Sequence, residues 1–196
     1  MTSDSNTQYV LISINPKWCE LIASGKKTIE VRKTRPKIET PFKCYIYMSK
    51  DAIKHLYIDE YGSWNVELIP QKIIGEFVCD NIIEYPYYYC DGTDIDDDSL
   101  LETQLEREDI NIYAKGKTIY GWHISDLVIY DKPKELSDFA TFCKGTGSET
   151  DKICKNCRYL CFDGDPINGY TRFCGANKRK TLTRPPQSWC YVEELR

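Results

Sequence analysis

The sequence predicts an α+β fold: a small β-barrel with flanking short helices and a loop insert ordered by zinc. Three observations predict it. Runs rich in β-branched and aromatic residues recur between residues 9 and 130 and return at residues 187–193. One proline-initiated helix follows the first of these runs. Five of the ten cysteines crowd the stretch from Cys143 to Cys174, where strand signals are poor. The expected organisation is a barrel over residues 8–135 and 186–196, an acidic insertion at 86–117 within it, and a cysteine-rich insert at 140–185.

Each element has a local reason. Tyr9 to Ile14 (YVLISI) reads as a strand. Asn15-Pro16 supplies a side-chain cap and then proline at the first helical position. Trp18, Leu21 and Ile22 fall at i, i+3 and i+4 and form the expected buried face. Gly25 is placed to end the helix in the left-handed conformation. From Thr28 to Lys33 the pattern alternates, with Ile29 and Val31 on one face and Thr28, Glu30 and Arg32 on the other. Phe42 to Ser49 is a third strand, Asp51 to Tyr61 a short helix, and Lys72 to Glu84 a long strand that Gly75 bends. In the acidic insertion, Ser99 caps a helix reaching Glu108. Thr118 to Tyr130 and Gln187 to Glu193 complete six strands of one curved sheet or barrel.

Composition narrows the class. Over 196 residues, 41% apolar and 29% charged side chains describe a globular chain. No run of about eighteen apolar residues exists to span a membrane. The start, MTSDSNTQY, has neither a basic nor an apolar leader region, and ten cysteines then point to a reducing compartment. A cytoplasmic protein is expected. A net charge of −4 argues against coating nucleic acid by bulk electrostatics. Yet residues 26–37 carry six basic side chains against Glu30, and Lys178, Arg179, Lys180 and Arg184 form a second cluster, apart from the acidic Asp91–Asp109 stretch. A charge run alone is a solvated face; two such clusters tilt the reading toward a localised anion site.

Residues 25–32, GKKTIEVR, fit G-x-K-x-x-E-x-R after a strand and a proline-initiated helix. In this context the segment resembles the ASCH domain of the PUA-like superfamily. Tyr120–Leu127 (YGWHISDL) and Arg184–Glu194 (RPPQSWCYVEE) are similar to the bacterial and phage-borne branch of that family. The resemblance covers residues 8–130 and the closing strand. It implies a PUA-like barrel whose cleft beside the first helix holds RNA or a modified base. Some small members remove an acyl group from acylated cytidine nucleosides, and others are credited with RNA cleavage. In the hydrolase a lysine works with a threonine and a separate glutamate. Lys27 matches the lysine, but Glu30 stands where the threonine would be, so that assignment does not carry over intact. Glu102 and Glu106 are the candidates for the separate glutamate.

The residues also speak for themselves. Glu30 and Arg32 share a strand face and can pair or share a ligand, and Lys27 enters just before them. Lys27 and Arg32 could hold a phosphate while Glu30 accepts from a base edge. Alternatively, a desolvated Lys27 acts as base or nucleophile with Glu30 beside it, or the trio is a structural ion pair. Trp18, Trp122 and Trp189 border the expected barrel mouth, where a ring can stack on a base or serve the core. Lys17 beside Trp18, and Gln187 and Ser188 before Trp189, complete the candidate ligand set. His123 reads as a satisfied structural histidine. The expected partner is RNA, a nucleotide or a nucleoside. The rivals are an amidohydrolase or ribonuclease, and a protein-interaction module using the acidic and cysteine-rich inserts.

Cys154 and Cys157 have the C-x-x-C spacing that lets two thiolates reach one tetrahedral ion, and Cys174-Gly175 offers a third from a tight turn. Cys143 supplies the fourth ligand, with Cys161 as the alternative. Polar loops without a core of their own would be ordered by such a site. Cys19, Cys44, Cys79, Cys90 and Cys190 are expected to pack in or beside the barrel. Protein purified without added metal should therefore contain about one zinc per chain. Elemental analysis finding none, or a Cys154–Cys157 disulfide under reducing conditions, overturns the zinc site.

Overall fold

The computed structural model describes residues 9–50, 55–58, 64–67, 71–142, 160–165, 169–174 and 179–193. Strand β1 (Tyr9–Ile14) leads into helix α1 (Pro16–Ala23), then β2 (Ile29–Arg32) and β3 (Phe42–Met48). A hairpin of β4 (His55–Ile58) and β5 (Trp64–Glu67) precedes β6 (Ile73–Cys79) and β7 (Ile82–Tyr85). The acidic insertion folds as a small hairpin, β8 (Tyr87–Tyr88) and β9 (Gly92–Thr93), and two helices, α2 (Asp97–Thr103) and α3 (Arg107–Ala114). Then come β10 (Ile119–His123), β11 (Ser125–Lys134), β12 (Ala140–Phe142), β13 (Leu160–Asp165), β14 (Gly169–Cys174), β15 (Arg179–Thr181) and β16 (Trp189–Val192).

The main strands form two sheets, not the single sheet or barrel expected: a five-stranded one ordered β11-β6-β3-β1-β16 and a three-stranded one ordered β2-β10-β7. Among the described residues no hydrogen-bonded ring closes. Two long predicted strands each break where the chain passes between sheets. Lys72–Glu84 divides at Asp80-Asn81 into β6 and β7, and Thr118–Tyr130 divides at Ile124 into β10 and β11. The corners lie together: the His123 N–H donates to the Asn81 carbonyl at 3.0 Å, and His123 Nδ1 lies 2.6 Å from Asp80 Oδ1. His123 is thus the satisfied residue its sequence context suggested. β1 and β3 are parallel, which requires a crossover, and α1 with β2 makes it.

Alternation explains the layers. Val10, Ile12 and Ile14 of β1 join Cys44, Ile46, Phe77, Trp122 and the α1 residues Cys19 and Ile22 in the main core. Leu11, Tyr45, Tyr47, Ile73 and Val192 pack with Phe139 on the other face of the five-stranded sheet. A third cluster seats the insertion: Ile110 and Ala114 of α3 and Ile95 meet Val31, Tyr85 and Ile119.

Several local expectations are corrected. Asp51–Tyr61 is not a helix; within it, His55–Ile58 pairs as a strand with Trp64–Glu67, which suits its leucine, tyrosine and isoleucine. The insertion helix begins at Asp96, whose side chain accepts from the Ser99 N–H and hydroxyl, both at 2.8 Å; Ser99 is inside the helix. Gln104 ends that helix in the left-handed region, and a second helix follows. Among the described residues of 140–185 there are four strands, despite the weak signal. Cys90 is exposed rather than packed, whereas Cys19, Cys44 and Cys79 are buried. Of the expected zinc ligands, Cys143, Cys154 and Cys157 lie outside the described residues. Cys161 and Cys174 occupy neighbouring register positions of the β13–β14 hairpin, opposite Phe173 and Leu160.

Gly75 marks a close approach as well as an irregularity. A Cβ there would stand 2.4 Å from the Val128 carbonyl oxygen, a backbone atom held by the β11–β6 pairing. Gly75→Ala should therefore destabilise the chain by about 1–3 kcal/mol, the range for overpacking. An unchanged denaturation midpoint would refute this placement of β11 against β6.

Candidate functional site

The site begins at the end of α1. Asn15 Oδ1 accepts the Lys17 N–H at 3.1 Å, and Pro16 occupies the first turn. Gly25, at φ +72°, reverses the chain, and the N–H groups of Lys26 and Lys27 both donate to the Leu21 carbonyl, at 2.9 and 3.1 Å. The buried face is Pro16, Cys19 and Ile22: Ile22 is buried as expected, but Trp18 and Leu21 are only partly so. This offset leaves Trp18 half-buried at the side of the helix, close to where Lys27 enters β2.

Lys27, Glu30 and Arg32 are 2%, 6% and 9% exposed, so all three are core residues by burial. Arg32 Nη2 lies 3.0 Å from Glu30 Oε1, and Lys27 Nζ lies 3.5 Å from Glu30 Oε2. Each cation has a second anchor in the backbone. Lys27 Nζ donates to the Thr103 carbonyl at 2.6 Å, and Arg32 Nη2 to the Ser13 carbonyl at 2.6 Å. Thr103 is the last residue of α2, where the helix dipole favours a cation. Burial lowers the Lys27 pKa, and Glu30 opposes that shift. Burial pushes the pKa of the nearby Cys19 thiol well up, which favours its protonated form. All four residues of β2 are buried, so both faces of the strand are packed.

These side chains form the floor of a cavity of about 510 Å³. Trp18 and Asn15 come from α1, Ser13 from β1, Ser49 from beyond β3, and Leu105, Asp109 and Tyr113 from the insertion. Of the candidates from sequence, Trp18, Lys27, Glu30 and Arg32 meet here. Lys17 is exposed, its ammonium 4.5 Å from the Trp18 ring centre. Trp122 is wholly buried, opposite Glu30 on the β-ladder and edge-on to Phe42, and is not part of the cavity wall. Gln187 is exposed. Ser188 contributes its carbonyl, which accepts the Ser13 N–H at 2.8 Å, and Trp189 Nε1 donates to Thr34 Oγ1 at 3.0 Å. The Glu102 and Glu106 side chains do not line the cavity, although the Glu102 carbonyl accepts the Thr28 N–H at 3.0 Å. Sequence reasoning missed Ser13, Asn15, Ser49, Leu105, Asp109 and Tyr113; only the i, i+4 spacing of Asp109 and Tyr113 hinted that the last two share a helix face.

The family model of the ASCH domain matches residues 12–134. The chain belongs to the ASCH domain family. Among solved structures, a serine-to-alanine variant of the ASCH protein from Zymomonas mobilis is similar at 16% identity and a TM-score of 0.51, over 95% of this chain and 89% of that one. The unaltered Zymomonas mobilis protein is similar at 19% identity and a TM-score of 0.45, over 65% and 73% of the two chains. A search of curated proteins by sequence gives no match. The likeness to these structures is one of fold. Among the described residues of this ASCH domain, no group of side chains is arranged to hold a metal ion, and no helix is long and apolar enough to cross a membrane.

The buried trio makes a quantitative demand. Glu30→Ala leaves two buried cations without their carboxylate and should destabilise the domain by about 3–5 kcal/mol. Denaturant unfolding at the wild-type midpoint would show that Glu30 is not the buried partner of Lys27 and Arg32.

Proposed function

We propose that this ASCH domain binds a nucleobase-bearing ligand (RNA, a nucleotide or a nucleoside) in the cavity over β2. One observation carries this reading: a carboxylate and a guanidinium lie side by side on the floor of a cavity that has a half-buried tryptophan in its wall. A base edge presents donors and acceptors side by side, and an acceptor-only carboxylate beside a donor-only guanidinium complements that pattern. Trp18 offers a ring on which a base can stack. The floor suits a base better than a phosphate, because Lys27 and Arg32 already serve Glu30 and two backbone carbonyls.

A second reading has its own support. The lowered pKa of Lys27 would make its amine available as a base or nucleophile, as acyl-group hydrolysis from a modified nucleoside requires. With two N–H donors directed at Thr103 and Glu30, a neutral amine keeps a lone pair for a substrate. Lys27 must then lose its proton, so turnover should rise with pH through a value below the usual lysine range.

Calorimetric titration with nucleosides, nucleotides and short RNAs tests the binding reading. Trp18→Ala should weaken binding by about 1–3 kcal/mol, and Glu30→Gln should alter which base is preferred. Binding indifferent to both changes overturns it. Turnover of acetylcytidine that Lys27→Ala abolishes, with binding only weakened, selects the hydrolytic form.

A further inference from the structure

The charged groups that line the cavity are not equivalent. Lys27, Glu30 and Arg32 are buried on the floor and satisfy one another or backbone carbonyls. Asp109, the remaining charged residue of the lining, is exposed, and its side chain has no hydrogen bond or ion pair among the described residues. It stands in the first turn of α3, where the helix dipole favours a carboxylate. Its neighbour Ile110 is wholly buried, so the backbone that carries Asp109 is held against the core. The lining as a whole sets Lys27 and Arg32 against Glu30 and Asp109 and carries no net formal charge. The cavity therefore has a buried, internally paired floor and, toward solvent, an acceptor without a partner.

We propose that Asp109 is a specificity-determining residue that reads the sugar: its carboxylate accepts from the 2′ and 3′ hydroxyls of a ribonucleoside whose base lies on the floor. The inference rests on the nucleobase reading above and deepens it. With the base edge on Glu30 and Arg32 and its face on Trp18, the sugar lies toward the opening. The exposed acid of the lining is Asp109. Ribose presents two neighbouring hydroxyl donors, and a carboxylate presents two acceptor oxygens and no donor. Hydrogen bonds to a charged group are stronger than neutral ones, and a carboxylate on ribose hydroxyls selects the sugar in dinucleotide-binding folds. A phosphate at the 3′ position removes one donor and sets a second negative charge beside Asp109, so the same residue selects against it.

The experiment takes the ribonucleoside that binds tightest and compares it with its 2′-deoxy, 2′,3′-dideoxy and 3′-monophosphate forms, by calorimetry on the full chain. Each lost hydroxyl should weaken binding by about tenfold, the worth of one hydrogen bond to a charged group. The 3′-monophosphate should bind at least about tenfold more weakly than the ribonucleoside. Asp109→Ala should leave the dideoxy form within about twofold of its wild-type affinity while the ribonucleoside falls to meet it. Asp109→Asn, which keeps one acceptor oxygen, should fall between the two proteins. The dideoxy form separates the readings, because an Asp109 that only supports the fold would weaken every ligand alike. Equal weakening of all forms by Asp109→Ala overturns the inference. So does a wild-type protein that binds the ribonucleoside and its dideoxy form equally, and either result leaves the nucleobase reading standing. Failure of every nucleoside to bind overturns the nucleobase reading and the sugar contact with it.

Discussion

Glu30 is a buried carboxylate held between two buried cations, and the site is organised around that arrangement. A charge taken out of water is tolerated only when paired and hydrogen-bonded, so each member constrains the others. Lys27 needs a further acceptor, and the last carbonyl of α2 provides it. Arg32 needs one too, and the Ser13 carbonyl of β1 provides it. Through these two anchors the trio ties together the insertion, the three-stranded sheet and the five-stranded sheet. Removing the carboxylate would affect both the chemistry of the floor and the contacts that shape the cavity.

The acidic insertion has a structural part in the site that its composition conceals. Its charge suggests a solvated appendage, yet Ile95, Ile110 and Ala114 are buried against Val31, Tyr85 and Ile119. This packing holds α3 over the end of β2 and brings Tyr113 and Asp109 to the cavity. The backbone reinforces it: the Thr28 N–H donates to the Glu102 carbonyl, one residue before the carbonyl that receives Lys27. Arg107 adds surface order, donating to the Ile95 carbonyl and pairing with Asp97.

The family fold and the particular site answer to different constraints. A similar fold in the serine-to-alanine variant of the Zymomonas mobilis protein, at 16% identity, shows that the fold accepts wide sequence change. It needs alternating apolar residues, a capped helix after the first strand and corners that let strands change sheets. Function depends on the side chains mounted on that frame. Here the cavity on that frame is lined by Lys27, Glu30 and Arg32, the ring of Trp18 and side chains of the insertion.

The sequence by itself determined the features whose causes are local. The cap at Asn15-Pro16, the left-handed turn at Gly25, the strand at Tyr9–Ile14 and the closing strand beside it all follow from residue type and spacing over a few positions. The motif carrying Lys27, Glu30 and Arg32 was legible in the same way, because alternation along a strand puts Glu30 and Arg32 on one face. What lay beyond reach depended on distant partners. Lys72–Glu84 and Thr118–Tyr130 each read as one strand, since a change of sheet leaves the β pattern intact on both sides of the corner. Trp122 could be read as ligand platform or as core, because a tryptophan in a strand looks the same whether it faces a cleft or Phe42. The burial of the trio, and the pairing of Lys27 with Thr103, 76 positions away, could be decided only by the tertiary structure. A strand pattern specifies which residues share a face, but the segments packed over that face determine whether it is solvent, core or cavity.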